Sequence, residues 1–281
     1  MPTHRASIRK YYDQNTRLFL AFNRSRQTNS IHRALWTDGA KTLNDALNVI
    51  HERIRVEIET AAPSHARIAD LGCGVGATLL YLIPRLQEPK LAFGLTISPV
   101  QARLAKRYAK EAGLDGKILF IEGDFTFVPL QHESLDIIFS VEAAAHAQDP
   151  ERYMEESSRL LRRGGRLILV DDYLADRPLT SSETTWLKAF ISGWHVPGIR
   201  TVEQIRRLAG KYQLRWMKND NLTPFLHLRP LSRFIADTLL FLGKRLPLNH
   251  AILPSLIGSI ALQQCLFMNV IEYRFLIFIK L

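Results

Sequence analysis

The sequence predicts an α/β protein with a mostly parallel sheet and helices on both of its faces. Three observations lead there. Short apolar runs alternate with helical segments from residue 61 to 175, the pattern of parallel βαβ units whose sheet is covered on both sides. The first apolar run ends in a glycine turn, Ile68-Ala69-Asp70-Leu71-Gly72-Cys73-Gly74-Val75-Gly76, which opens a helix. Further strings that carry chemistry follow the later runs at the same place, the carboxyl ends, where open sheets of this kind bind ligands.

Composition bounds the rest. The chain has 281 residues, enough for one large α/β domain with insertions or for two small domains. At 47% hydrophobic and 23% charged it can bury a substantial core. Two cysteines, Cys73 and Cys265, make no disulfide framework, and no Cys/His spacing suggests a structural zinc. Met1 to Lys10 is basic without an apolar signal region, so the expected location is cytoplasmic. The net charge is +10, and between Arg200 and His250 ten Lys/Arg stand against three Asp/Glu. Such a bias favours anionic partners or is simply a solvated basic face.

In chain order, residues 1–60 read as a helical cap. Tyr11 to Phe19 opens its first segment, Asn23 to Ser30 is a polar loop, and Ile31-His32-Arg33-Ala34-Leu35-Trp36 follows. A helix from Leu43 to Thr60 sets Leu43, Leu47, Ile50, Ile54 and Ile58 at helical spacing. Strand one is Ile68 to Leu71, with its helix from Gly76 to Leu86. Strand two is Leu91 to Leu95, and a helix from Pro99 to Ala112 takes Ser98 as N-cap. Strands three and four are Ile118 to Ile121 and Leu135 to Val141. The helix from Pro150 to Leu161 is stopped by Gly164-Gly165, and strand five is Arg166 to Val170. After Leu174 the alternation breaks. Thr201 to Leu214 is a helix, Leu214 to Lys218 a sixth strand, Pro224 to Ile271 mostly apolar and helical, and Tyr273 to Lys280 a seventh strand. Ala251 to Ile271 carries no charge across 21 positions, but Ser255, Ser259 and Gln263 form a polar row at a spacing of four. That row fits a buried or pocket-lining amphipathic helix better than a membrane span. The resulting division is a cap over 1–60, a ligand-binding core over 61–175, and a substrate-side helical region with the last strands over 176–281.

The chemistry sits at the strand ends. Gly72, Gly74 and Gly76 free the backbone to approach a ligand closely, and Asp70 can accept hydrogen bonds from a cationic or hydroxylated one. Strand two ends Gly94-Leu95-Thr96-Ile97-Ser98-Pro99-Val100-Gln101, strand three Glu122-Gly123-Asp124-Phe125, and strand four Val141-Glu142-Ala143-Ala144-Ala145-His146. A carboxylate such as Asp124 reads an N–H₂ donor, and an aromatic face such as Phe125 stacks on a base. If a helical turn follows strand four, Glu142 and His146 share a face, and an imidazole is suited to move protons near neutrality. Plainer alternatives stand beside each: an ordinary strand-to-helix turn, a helix cap at Ser98, a turn residue at Asp124, a surface pair at Glu142 and His146.

Acid-x-Gly-x-Gly-x-Gly resembles the first motif of class I S-adenosylmethionine-dependent methyltransferases. Gly-Leu-Thr-Ile-Ser-x-x-Gln is similar to the motif of the branch holding tocopherol, sterol and terpene C-methyltransferases and cyclopropane synthases. The resemblance covers residues 8 to 175 and implies a Rossmann-like, seven-stranded sheet that binds S-adenosyl-L-methionine. It implies that Asp70 and the glycine turn meet the amino-acid end, that Thr96 and Gln101, in place of the more usual acid, contact the ribose or amino-acid portion, and that Asp124 and Phe125 hold the adenine. It further implies that Glu142 faces the methionine end, that His146 lies toward the acceptor, and that Tyr12 sits on a helix closing over the cofactor. The sulfonium is already an activated donor, so the protein supplies alignment and water exclusion. A carbon acceptor must afterwards lose a proton, a task for His146 or Glu142.

Trp186, Trp194, Phe225, Phe234, Phe241 and Phe267 supply aromatic area for an oily pocket, with ordinary core packing the plainer reading of most of them. The expected activity is therefore methyl transfer to a small lipophilic, isoprenoid- or lipid-like acceptor, with a phosphate on it, a peripheral membrane contact and a homo-oligomer left open. The alternatives are a cofactor-binding cyclase or methylene-transferring relative, and a nucleic-acid binder that has charge alone in its favour. Neither a metal nor a nucleic-acid partner is expected.

Overall fold

The computed structural model describes residues 4–22, 29–194, 196–228 and 252–281. Its centre is a seven-stranded sheet in the order β3-β2-β1-β4-β5-β7-β6. The strands are β1 (Arg67–Leu71), β2 (Leu91–Thr96), β3 (Leu119–Glu122), β4 (Leu135–Val141), β5 (Leu161–Leu174), β6 (Leu214–Asn221) and β7 (Ile271–Lys280). The pairings from β3 through β5 are parallel, and β7 runs antiparallel to both β5 and β6. Strand order reverses at β1 and β4, which leaves a crevice above their carboxyl ends.

The helices are α1 (His4–Phe22), α2 (Leu43–Ala61), α3 (Ala77–Leu82), α4 (Pro99–Glu111), α5 (Pro150–Leu160), α6 (Ser181–Gly193), α7 (Val202–Lys211) and α8 (Ile252–Phe267). Side chains alternate across each strand, so the sheet has two apolar faces. On one, Ile68, Ile137, Ile168 and Phe275 pack with Ile50, Ile54 and Ile58 of α2, with Phe190 of α6 and with Leu262 of α8. On the other, Leu71, Phe93, Ile138 and Leu169 pack with Tyr153 of α5 and Ile205 of α7. Thr42 and Asp45 form a capping box at α2, as do Thr180 and Glu183 at α6, and Ser98 caps α4.

Four sequence expectations need correction. The helix expected from Gly76 to Leu86 ends at Leu82 and finishes as a 3₁₀ turn over Ile83–Arg85, where Pro84 has no N–H to give. Gly164-Gly165 do not stop α5. The helix ends at Leu160, and the glycines lie inside β5, where register against β4 shifts between the Leu135–Leu161 and Ile137–Arg166 pairs. Gly164 takes φ +77, and a Cβ on Gly165 would meet the carbonyl oxygens of Arg162 and Asp136 at 2.9 and 3.0 Å, so this is a bulge. Strand five continues past Val170 to Leu174. Finally, the helical reading of 1–60 fails between its two helices. Residues 29–42 form a strap whose donors are spent elsewhere: Leu35 N–H goes to Ala46 O at 2.8 Å and Trp36 N–H to Phe225 O at 2.7 Å.

Segment 229–251 lies outside the described residues, and with it Phe234, Phe241 and much of the basic stretch. Within the apolar 251–271 run, α8 has 16 residues. Among the described residues no helix is long and apolar enough to cross a membrane.

One buried ion pair fixes α2 on the sheet. Arg166 Nη1 donates to Glu57 Oε2 at 2.5 Å and to the Glu57 carbonyl at 3.3 Å, and Lys218 Nζ reaches Oε1 at 3.3 Å. Removing one partner strands the other charge in the core. Glu57→Ala is expected to cost about 3 kcal/mol and to lower the thermal midpoint by roughly 6–12 °C, read by thermal denaturation.

Candidate active site

A cavity of about 750 Å³ opens above the carboxyl ends of β1, β2 and β4. Its floor is the glycine turn. Gly72 takes φ +100, Gly74 φ +54 and Gly76 φ +83, conformations that L side chains rarely adopt. A Cβ on Gly72 would collide with Ala143, whereas one on Gly74 would meet nothing within 4 Å and would occupy the cavity. Gly76 does not line it. This residue caps α3, and a Cβ there would strike the Phe120 ring at 2.5 Å. Tyr12, Asp70, Thr96, Gln101, Asp124, Phe125, Glu142 and His146 all line the cavity with Gly72 and Gly74.

Asp70 is 3% exposed, and no donor among the described residues bonds it. Burial alone pushes its carboxyl well above the usual range. A buried acid of this kind at the edge of bare backbone fits a ligand that brings its own N–H donors or positive charge. Thr96 Oγ1 donates to Gln101 Oε1 at 2.7 Å, leaving the Gln101 NH₂ as that amide's donor. Ser98 Oγ accepts from Gln101 N–H at 3.2 Å and donates to Asp13 of α1 at 2.5 Å. Asp124 Oδ1 accepts from the Thr126 backbone and hydroxyl at 2.9 and 2.7 Å, a turn residue that still borders the cavity. Phe125 stands edge-on to Tyr153, centroids 5.1 Å apart.

Glu142 and His146 do not share a helical face. Glu142 takes φ +51, and only a 3₁₀ turn over Ala144–His146 follows. The reversal turns the Glu142 carboxylate toward the strap, where its Oε1 accepts from Arg33 N–H and from the Tyr273 hydroxyl, each at 2.8 Å. Arg33 Nε lies 3.3 Å from the same oxygen. The Arg33 guanidinium grips Asp172 with both Nη atoms, at 2.7 and 2.8 Å, and covers the Tyr273 ring at 4.2 Å. Burial works against the Glu142 charge, but Arg33 and the donors around it hold its carboxyl below the usual range. His146 stands at the other side of this wall, its ring edge-on to Tyr12 with centroids 5.6 Å apart.

The helix α8 brings its polar row to the same cavity. Ser259 and Gln263 line it with Trp194, whose Nε1 is 3.3 Å from both Ser259 Oγ and Ser255 O, and Tyr11 OH meets Ser255 Oγ at 3.1 Å. Ile8, Tyr11, Ile31, Leu43 and Leu47 complete an apolar arm.

Residues 69–169 match the family model described as a methyltransferase domain. That stretch is the part of the chain that is similar to class I S-adenosylmethionine-dependent methyltransferases. The chain is 27% identical over 178 residues to 24-methylenesterol C-methyltransferase 2 of Oryza sativa subsp. japonica, covering 62% of this chain and 47% of that one. It is 30% identical over 127 residues to the chloroplastic tocopherol O-methyltransferase of Arabidopsis thaliana, covering 44% and 36%. The chain spans about half the length of the curated relatives it matches. Its fold is that of the geranyl diphosphate C-methyltransferase of Streptomyces coelicolor A3(2), with TM-score 0.72, 14% identity, and 100% and 98% of the two chains covered. The glycine floor, the undonated Asp70 and the free Gln101 amide fit the cofactor of such methyltransferases, an ammonium-bearing sulfonium nucleoside.

Sequence reasoning missed Arg33, His32, Asp171, Asp172 and Tyr273. Asp171 and Asp172 had a signal, since they follow Val170 as Glu142 follows strand four. Arg33 had none, because its partners lie more than 100 positions away.

Asp171 Oδ2 accepts from Ala145 N–H at 2.9 Å and so fixes the turn carrying His146. Burial, then the neighbouring Asp172, pushes its carboxyl up to about 7 from an ordinary 3.8. The folded protein thus keeps a proton that the unfolded chain releases, so stability falls as pH rises between those two values. Asp171→Asn is expected to flatten that slope in thermal midpoints measured across the interval. A second expectation concerns Arg33→Lys. Lysine cannot fork Asp172 while also pairing Glu142, so stability should drop by about 2–4 kcal/mol in denaturant titration.

Proposed function

We infer that this protein transfers the methyl group of S-adenosylmethionine to a small lipophilic acceptor, at carbon. The observation that carries the reading is the charge balance of the cavity. Asp70, Asp124, Glu142 and Asp149 line it, and the one lysine or arginine lining it among the described residues, Arg33, is already bound to two carboxylates. Such a wall favours a cationic ligand at the floor, and the apolar arm beyond favours an oily partner.

The cofactor supplies a methyl group activated by positive sulfur. Asp70 receives its ammonium group, Thr96 and Gln101 hold the ribose or amino-acid portion, Asp124 and Phe125 the adenine, and Tyr12 closes over it from α1. Residues 1–60 and 176–281 act as cap and substrate side of the 61–175 core. Between the two candidate bases, the bonding pattern favours His146. Glu142 is held charged by Arg33 and Tyr273, which lowers its appetite for a proton. Glu142 therefore faces the methionine end, and His146 takes the proton that a methylated alkene must lose. Ile8, Tyr11, Ile31 and Trp194 shape the acceptor arm. A phosphate on the acceptor would need cations from outside the described wall.

Two measurements test this. Calorimetry with S-adenosylhomocysteine should show Asp70→Ala and Asp124→Ala each weakening binding by about 1.5–3 kcal/mol, with His146→Ala nearly unchanged in affinity but about 10²–10⁴-fold slower in turnover. Equal loss of affinity in all three would sink the division of roles. Incubating the protein with a host lipid extract and isotopically labelled methyl donor, followed by mass spectrometry, should reveal labelled apolar products. Label found only in protein or nucleic acid would refute the acceptor class.

A further inference from the structure

Two imidazoles have no place in the scheme above. His32 lies on the strap and lines the cavity, and His51 is on α2 and 1% exposed. Their Nε2 atoms are 2.8 Å apart, with the rings edge-on at 84°. His32 Nδ1 is 3.1 Å from the Arg33 carbonyl oxygen, and His51 Nδ1 is 3.3 Å from Asn48 Oδ1.

These contacts limit how many protons the pair can hold. A carbonyl only accepts, so His32 Nδ1 carries a hydrogen. A short contact between two ring nitrogens needs one hydrogen and one lone pair. In the neutral pair His51 donates Nε2–H to His32, and Asn48 turns its NH₂ toward His51. In the singly charged pair His32 donates to His51, and His51 Nδ1–H goes to the Asn48 oxygen. With both rings cationic, two N–H groups point at each other across 2.8 Å. The joined pair therefore takes at most one proton, whereas two separated imidazoles take two.

The surroundings act on the same balance. Arg33 faces the pair from the strap, Glu142 from the end of β4 and Arg85 from the 3₁₀ turn after α3. Tyr81 of α3 stands 5.0 Å from the His51 ring and donates its hydroxyl to Glu52 of α2. The two arginines oppose protonation, and Glu142 favours it on His32 alone.

We propose that His32 and His51 are positioning residues, a clasp that fastens the strap to α2 and through Arg33 sets Glu142 at the cavity, and that a second proton opens it. What Glu142 serves rests on the methyltransferase reading, but the clasp does not. The sign follows from the proton count: the open form binds more protons, so acid favours opening and the closed form gains as pH rises.

Nitrogen-15 NMR of the imidazoles tests the clasp directly. The expected result is the Nδ1–H form of His32 at about pH 8 and at most one proton gained by the pair down to about pH 6. Two independent titrations near the ordinary value of about 6.5 overturn the proposal. A second measurement compares S-adenosylhomocysteine affinity in the native protein and in His51→Gln, whose amide can still donate to His32 but does not titrate. Below about pH 6 the native protein should lose affinity more steeply than His51→Gln, by up to about tenfold per pH unit. Parallel slopes overturn the link to Glu142, since every other side chain is the same in both proteins. Absence of binding at every pH would instead refute the methyltransferase reading, leaving the NMR titration to decide the clasp.

Discussion

One guanidinium holds the centre of this molecule together. Arg33 lies between Asp172 on β5 and Glu142 beyond β4, and it stacks on Tyr273 of β7. Three strands and the strap thus converge on a single positive charge. Burying two carboxylates beside Asp171 is tolerable only because this cation forks one and pairs the other. Without it the wall would neutralise by taking up protons, and Glu142 would no longer be a fixed negative charge. The strap has no regular structure of its own because its role is to deliver this residue.

The rest of the site follows from where chain direction reverses. The strand order places the ends of β1, β2 and β4 around one crevice, and backbone there is free of ladder partners. The glycine turn supplies bare amide backbone, and the neighbouring ends supply side chains of graded polarity. Residues of α1 and α8 also border the crevice. Tyr11 and Trp194 meet on Ser255, so α1, α6 and α8 are joined by one small polar cluster at the roof.

Much of this was legible in the sequence. The βαβ rhythm gave the first five strands and later apolar runs the last two, while the motif positions at strand ends gave nine of the residues that surround the cavity and the N-terminal segment a tenth, Tyr12. Local signals were enough because glycine at φ > 0 and acids at strand mouths are demanded by local geometry. The polar row of α8 was legible for a similar reason, since a spacing of four identifies one helical face. What escaped was decided at long range. Arg33, His32 and Tyr273 have ordinary neighbours in sequence, and only the tertiary fold joins them to Glu142. The start of strand five escaped because Gly164-Gly165 reads as a stop signal, and no local rule says that a strand continues through it.

That glycine bulge has a consequence at the far end of its strand. Between the Leu135–Leu161 and Ile137–Arg166 pairs, β5 spends three residues more than β4, an odd number. Faces alternate residue by residue, so the surplus decides that Asp172 points to the strap and Asp171 to the turn beneath His146. Loss of a single residue among 162–165 would exchange the two acids, setting the wrong carboxylate before Arg33 from a distance of about 20 Å. The phase of the cavity wall is thus wound in at the opposite end of the sheet from the cavity itself.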